Sequence, residues 1–167
     1  MIYQILGWPR SRTAWLANFL TYGSSFCFHE GVLMRNQNRI RTVQEYRKLF
    51  TLYKTKYKYV GDSNTLALSK QKYVIPGARV VVIERDTKEV ESAVYGLGYV
   101  VDIPEIIEYP YNENLIIKYN EINDNLKELW HFCLPNIPFN NERAYMLKNL
   151  NIQVQDVNEF LNIKLDV

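Results

Sequence analysis

The sequence predicts an α/β fold in three layers, a parallel sheet covered by helices on both faces, and three features carry that prediction. Ile2–Leu6 ("IYQIL") and Ala78–Ile83 ("ARVVVI") are short apolar runs of the kind that parallel sheets bury on both sides. Each leads through a turn into a segment whose apolar residues recur at helical spacing. Strand-then-helix alternation of this sort builds βαβ units whose strands share one sheet.

The elements follow in order. Arg12–Tyr22 reads as a helix, with Trp15, Leu16, Phe19 and Leu20 on one face and Gly23 as its stop. Phe26–His29 reads as a second strand, Val43–Tyr53 as a helix, and Tyr57–Val60 as a third strand that breaks at Gly61-Asp62-Ser63, with Asp62 a turn residue. Ala78–Ile83 follows a Pro76-Gly77 turn, and Thr87–Leu97 forms a helix with acidic residues in its first turn. Leu115–Phe132 reads as one long helix stopped by Pro135, with shorter helices at Asn141–Leu150 and Val157–Leu161. No repeat or linker divides the chain, so residues 1–167 are expected to form one domain. Ligands of such sheets sit beyond the carboxyl ends of the strands, which nominates loops 7–13, 29–31, 61–65 and 84–86.

Composition narrows the class. A hydrophobic content of 47% with few Gly and Pro indicates a globular protein. No apolar run is long enough to span a membrane. A strand that starts at the first residues leaves no room for a signal peptide, and two distant cysteines, Cys27 and Cys133, suit free thiols in a reducing compartment. A cytoplasmic location without membrane association is the expectation. Leu33–Val60 carries eight Lys/Arg against Glu45 alone, and Val101–Glu128 carries seven Asp/Glu against Lys118 and Lys127. Such runs are solvated faces or the rim of an anion site. Tyr46, Tyr53, Tyr57 and Tyr59 interleave with the basic run, but no recognised nucleic-acid motif accompanies them, so a nucleic-acid partner is not expected.

"LGWPRSRTAWLANFL" (6–20) has the strand–turn–helix form in which backbone N–H groups hold phosphate. Laid over G-x-x-x-x-G-K-[ST] from Gly7, it has Arg12 at the second Gly, Thr13 at the Lys and Ala14 at the magnesium-binding hydroxyl. Arg10 and Arg12 supply charge instead, Ser11 and Thr13 supply hydroxyl donors, and the following helix supplies its dipole. The loop suits an anion that needs no metal.

Pro9-Arg10-Ser11-Arg12-Thr13-Ala14-Trp15-Leu16 resembles the P-(K/R)-S-G-T-T-W-L loop of sulfotransferases, and the strand running into Arg85 and Ser92 is similar to their R-x-P-x-x-x-x-x-S segment. The resemblance spans roughly residues 1–95 and looks most like short bacterial and phage-encoded members. It implies a P-loop nucleotide hydrolase-like fold of the sulfotransferase type. The implied donor is PAPS (3′-phosphoadenosine 5′-phosphosulfate), with adenosine 3′,5′-bisphosphate as product and no metal. Pro9, Arg10, Ser11, Arg12, Thr13 and Ala14 would form the 5′-phosphosulfate loop, and Arg85 and Ser92 would bind the 3′-phosphate. Departures from the pattern are Arg12 for Gly, Ala14 for Thr, Thr87 where Pro is common, and Ser92 one position early.

Sulfuryl transfer needs a base for the acceptor's proton. Glu30, in "FCFHEG", resembles the catalytic Glu of sulfotransferases that act on sugars or tyrosine; His29 is the rival, and Arg10 would assist as the charge on the transferred group. The structural alternative is that Glu30 caps a turn and His29 packs inside. Ser63 could serve the bridging oxygen. Trp15 and His131 read as structural, whereas Trp8 could stack on a base or line the acceptor entrance. The expected acceptor is an unidentified small molecule or glycan. Two other readings stay open: a P-loop nucleotide or nucleoside kinase, and a non-catalytic nucleotide-binding interaction protein.

Overall fold

A computed structural model describes residues 1–95, 114–148 and 150 of the chain. Five parallel strands form the main sheet in the order β2-β5-β1-β6-β7, with β1 at Ile2–Gly7, β2 at Ser25–His29, β5 at Tyr59–Asn64, β6 at Arg79–Glu84 and β7 at Asn114–Lys118. β1 pairs with β5 on one side and β6 on the other. A two-stranded antiparallel pair, β3 (Leu33–Met34) and β4 (Arg39–Ile40), is inserted before the helix that leads to β5. The chain leaves β1 towards β2 and leaves β6 towards β7, so the direction of winding reverses between β1 and β6. A crevice forms at that point, beyond the strands' carboxyl ends.

Alternation along the strands sorts the core into two layers. Tyr3, Ile5, Val81 and Ile83 point to one face and meet Trp15, Leu16, Phe19, Leu129 and Trp130. These come from α1 (Thr13–Leu20) and α5 (Leu126–Cys133), with α6 (Asn141–Lys148) packed beside α1. Leu6, Val80 and Val82 point to the other face and meet Tyr46, Phe50, Ala67 and Val90 from α2 (Val43–Tyr53), α3 (Leu66–Ser69) and α4 (Thr87–Tyr95). The α/β class and the covered parallel sheet are thus as expected. Cys27 and Cys133 are free and buried, also as expected. Among the described residues no helix is long and apolar enough to cross a membrane.

Two elements differ from expectation. Leu115–Phe132 is not one helix: Asn114–Lys118 is β7, a short 3-10 turn follows, and α5 begins only at Leu126. The run "LIIK" satisfies helical and strand patterns equally, and pairing of Ile117 with Ile83 in the sheet decides for the strand. The third strand does not break at Gly61; it runs to Asn64, with every residue buried. Gly61 is small because the Tyr3 ring occupies its side: a Cβ there would lie 2.0 Å from Tyr3 Cε2. Asp62 is accordingly a buried strand residue and not a turn residue. The expected helix at Val157–Leu161, and the end of the one expected at Thr87–Leu97, lie outside the described residues.

Candidate functional site

The loop after β1 is a tight turn closed by the Ser11 N–H donating to Trp8 O at 3.1 Å. Arg10 (φ 67) and Arg12 (φ 59) both take left-handed backbone, Arg12 as the residue immediately before α1. For a residue with a Cβ this conformation costs roughly 1–2 kcal/mol, so surrounding contacts must hold it. They are present. Arg85 Nη1 donates to Arg10 O, while Arg12 Nη1 donates to Asn123 Oδ1 at 2.9 Å. The Arg12 guanidinium lies 4.3 Å from the Trp15 ring centroid. The charge of Arg12 is therefore directed onto Trp15 and Asn123.

The rest of the loop is better placed for an anion. The Arg12 side chain does not cap the start of α1, so the first N–H groups of that helix lack the usual capping oxygen from that residue. Ser11 is fully buried, and its hydroxyl has no hydrogen-bond partner among the described residues. The Arg10 side chain is exposed. Thr13 is buried with its hydroxyl 3.4 Å from His29 Nε2, and Ala14 is buried beside it. Pro9 is partly exposed. Thr13 thus brings the loop after β1 against His29 at the end of β2. Ser63 sits opposite both Ile5 and His29 in the sheet, buried, with a hydroxyl that also lacks a partner.

Glu30 follows His29 with left-handed backbone (φ 55), and its Oε1 accepts the Thr65 N–H at 3.0 Å. Its carboxylate is therefore aimed at the loop after β5. Below it lies a buried polar network that sequence reasoning missed. Asp62 accepts from Tyr46 Oη at 2.6 Å, Asn64 Nδ2 at 2.8 Å and Gly31 N at 2.9 Å, and Gln4 Nε2 donates to Tyr46 Oη at 3.0 Å. Burial pushes the Asp62 carboxyl up to about 6, against the pull of these donors. The available signal was four polar residues, Gln4, Asp62, Ser63 and Asn64, at strand positions.

A cleft of about 420 Å³ at the ends of β6 and β7, with Trp8 after β1 as one wall, is lined by Glu84, Arg85, Asp86, Thr87, Glu89, Lys118, Tyr119 and Asn120. Arg85 crosses it, 4.1 Å from the Tyr119 ring centroid and 3.4 Å from Glu89 Oε2. Asp86 Oδ1 accepts from the Lys88 and Glu89 N–H groups and so caps α4. Ser92 is exposed on α4 and does not line the cleft, so Arg85 and Ser92 are not brought together there. Trp8 is a buried cleft wall, and Trp15 is core, its Nε1 donating to Leu147 O at 2.8 Å. His131 is exposed in the last turn of α5. No protein-family model matches the chain, and no curated protein does.

Proposed function

We propose that this chain transfers a sulfuryl group from PAPS to a hydroxyl or amine of an acceptor. The supporting observation is the loop after β1. It pairs a helix start that its own preceding residue does not cap with an exposed Arg10 and a buried Ser11 hydroxyl that has no partner among the described residues, and Arg12, where the resembling loop has Gly, takes left-handed backbone. Arg10, Ser11 and Thr13 would hold the 5′-phosphosulfate, with donors aimed where charge develops on the leaving phosphate. The acceptor oxygen or nitrogen attacks sulfur in line, the sulfur–oxygen bond to the 5′-phosphate breaks, and the acceptor proton passes to Glu30 or His29. Of the two, His29 lies beside Thr13 of the loop, while the Glu30 carboxylate accepts the Thr65 N–H through one oxygen.

Thermal denaturation in EDTA tests the donor. A ligand of the folded state adds about 2.7 kcal/mol at a hundredfold excess over Kd, and each kcal/mol raises Tm by roughly 2–4 °C for this size. Adenosine 3′,5′-bisphosphate should raise Tm by about 5–11 °C on that arithmetic. Mass spectrometry of a lysate incubated with the protein and isotopically labelled PAPS then tests turnover.

A second reading, a non-catalytic nucleotide-binding protein, is favoured by the cleft. Arg85 is already committed to Glu89 and Arg10 O, and Glu84, Asp86 and Glu89 oppose a second phosphate. A Tm shift without any labelled product selects that reading. No shift with the bisphosphate but a large one with Mg-ATP selects a kinase.

A further inference from the structure

The basic run that precedes β5 forms a surface at the end of the sheet opposite the loop site. Arg47, Lys48, Lys54, Lys56 and Lys58 are all exposed, on α2 and on the turn that carries the chain into β5. None of the five forms an ion pair among the described residues; the nearby Glu45 is taken by Arg39 at 2.6 Å. Lys54 and Lys58, after burial, push the Met1 amine below its ordinary value, which marks the local potential as positive.

Aromatic rings lie within this field. Among the described residues β2 is an edge strand of the main sheet, and its Phe26 and Phe28 rings pack against Tyr53 and Tyr57. The Tyr53 and Tyr57 rings are nearly parallel, 13° apart in plane with centroids 6.1 Å apart, and both residues are partly exposed. Lys54 and Lys56 lie between them in sequence, and Lys58 follows Tyr57. The other two tyrosines of the run, Tyr46 and Tyr59, are buried.

We infer that this surface binds single-stranded nucleic acid, the lysines tracking phosphates and the Tyr53–Tyr57 pair offering ring surface to unstacked bases. A duplex would satisfy the charge but keep its bases away from the rings. An acidic polypeptide would satisfy the charge and leave the rings unused. Stacking platforms set in cationic grooves are the general solution for single strands. The expectation against nucleic acid rested on the lack of a sequence motif, and here the platform is assembled from β2, α2 and the turn before β5.

Fluorescence anisotropy with a labelled oligo-thymidylate of about twelve nucleotides, within the range of single-strand site sizes, tests the inference. With three to five phosphates neutralised, raising NaCl from 50 to 200 mM should weaken binding by about 20- to 130-fold. The combined exposed substitutions Lys54→Glu, Lys56→Glu and Lys58→Glu should abolish it at unchanged Tm. Tyr57→Leu keeps an apolar side chain against Phe26 and should lose about fivefold or more. Absence of binding, equal affinity for duplex, equal displacement by polyglutamate, or an unaffected Tyr57→Leu variant with normal Tm would each overturn it.

Discussion

Glu30 and Asp62 hold each other's loops: Asp62 on β5 accepts the Gly31 N–H from the loop after β2, and Glu30 in that loop accepts the Thr65 N–H after β5. Neither loop can shift without breaking a hydrogen bond to a carboxylate, which ordinarily contributes about 1.5–3 kcal/mol. Glu30, with left-handed backbone, is held by this exchange and by its own N–H donating to Ser63 O at 3.0 Å.

The buried member of the pair gives stability a pH dependence of defined sign. The Asp62 carboxyl titrates at about 6 in the folded chain against 3.8 ordinarily. Between those values the folded state binds a proton that the unfolded state has lost, so stability falls as pH rises through that window. A shift of two units corresponds to about 3 kcal/mol. Exposed Glu45, held at about 2 by Arg39, acts oppositely and loses its small contribution as pH falls below 4.5. Chemical denaturation at pH 4.5 and pH 7 should show a decline for the wild type that Asp62→Asn removes; an unchanged slope in the variant refutes the assignment.

Arg10→Ala should weaken adenosine 3′,5′-bisphosphate binding by about 1.5–3 kcal/mol, the range for a hydrogen bond to a charged group. Its exposed side chain makes folding insensitive to the change. Titration calorimetry reads the loss directly, and full affinity in the variant would remove the loop from the site.

Glu30→Gln separates the two candidate bases. The carboxamide oxygen still accepts the Thr65 N–H, so loop geometry and nucleotide binding should survive. Sulfuryl transfer should fall by about 10²–10⁴ if Glu30 takes the proton. Retained turnover in this variant, with loss in His29→Ala, assigns the base to His29.

Gly61→Ala should be among the most damaging single changes. Its Cβ would overlap the fully buried Tyr3 ring, whose hydroxyl is fixed 3.1 Å from Ser25 Oγ. Overpacking of this kind costs about 3 kcal/mol, the upper part of its usual range. Urea denaturation would show it as a lower midpoint, and the double variant with Tyr3→Phe should recover little, because the ring itself is the obstacle.

β1, β6, α1, α2 and α4 were legible because each carries a local apolar pattern. β7 was not: Leu115, Ile116 and Ile117 fit either periodicity, and only the neighbouring β6 selects between them. Gly61-Asp62-Ser63 carries turn chemistry in sequence, yet the Tyr3 ring and the Tyr46 hydroxyl, both distant along the chain, turn it into strand. The strand–turn–helix form around residues 7–13 was readable from its residues, since strand, turn and helix start are contiguous. Its supports were not, because Arg85, Asn123 and Trp15 reach it through contacts that no spacing encodes. Arg143 is similar: from α6 it donates to Phe19 O, Asn18 O and Thr21 O and so closes the end of α1.

The bond from Arg85 to Arg10 O acts as a latch between β6 and the loop after β1. A ligand phosphate that takes over the Nη1 and Nε donors of Arg85 must open that latch and part the guanidinium from Glu89. Binding then draws only on the unlatched population, and each tenfold scarcity of that population raises the apparent Kd tenfold, about 1.4 kcal/mol. The rate of complex formation would level off at high ligand concentration, at the rate of unlatching. A ligand satisfied by Arg10, Ser11 and Thr13 alone would instead associate in proportion to its concentration.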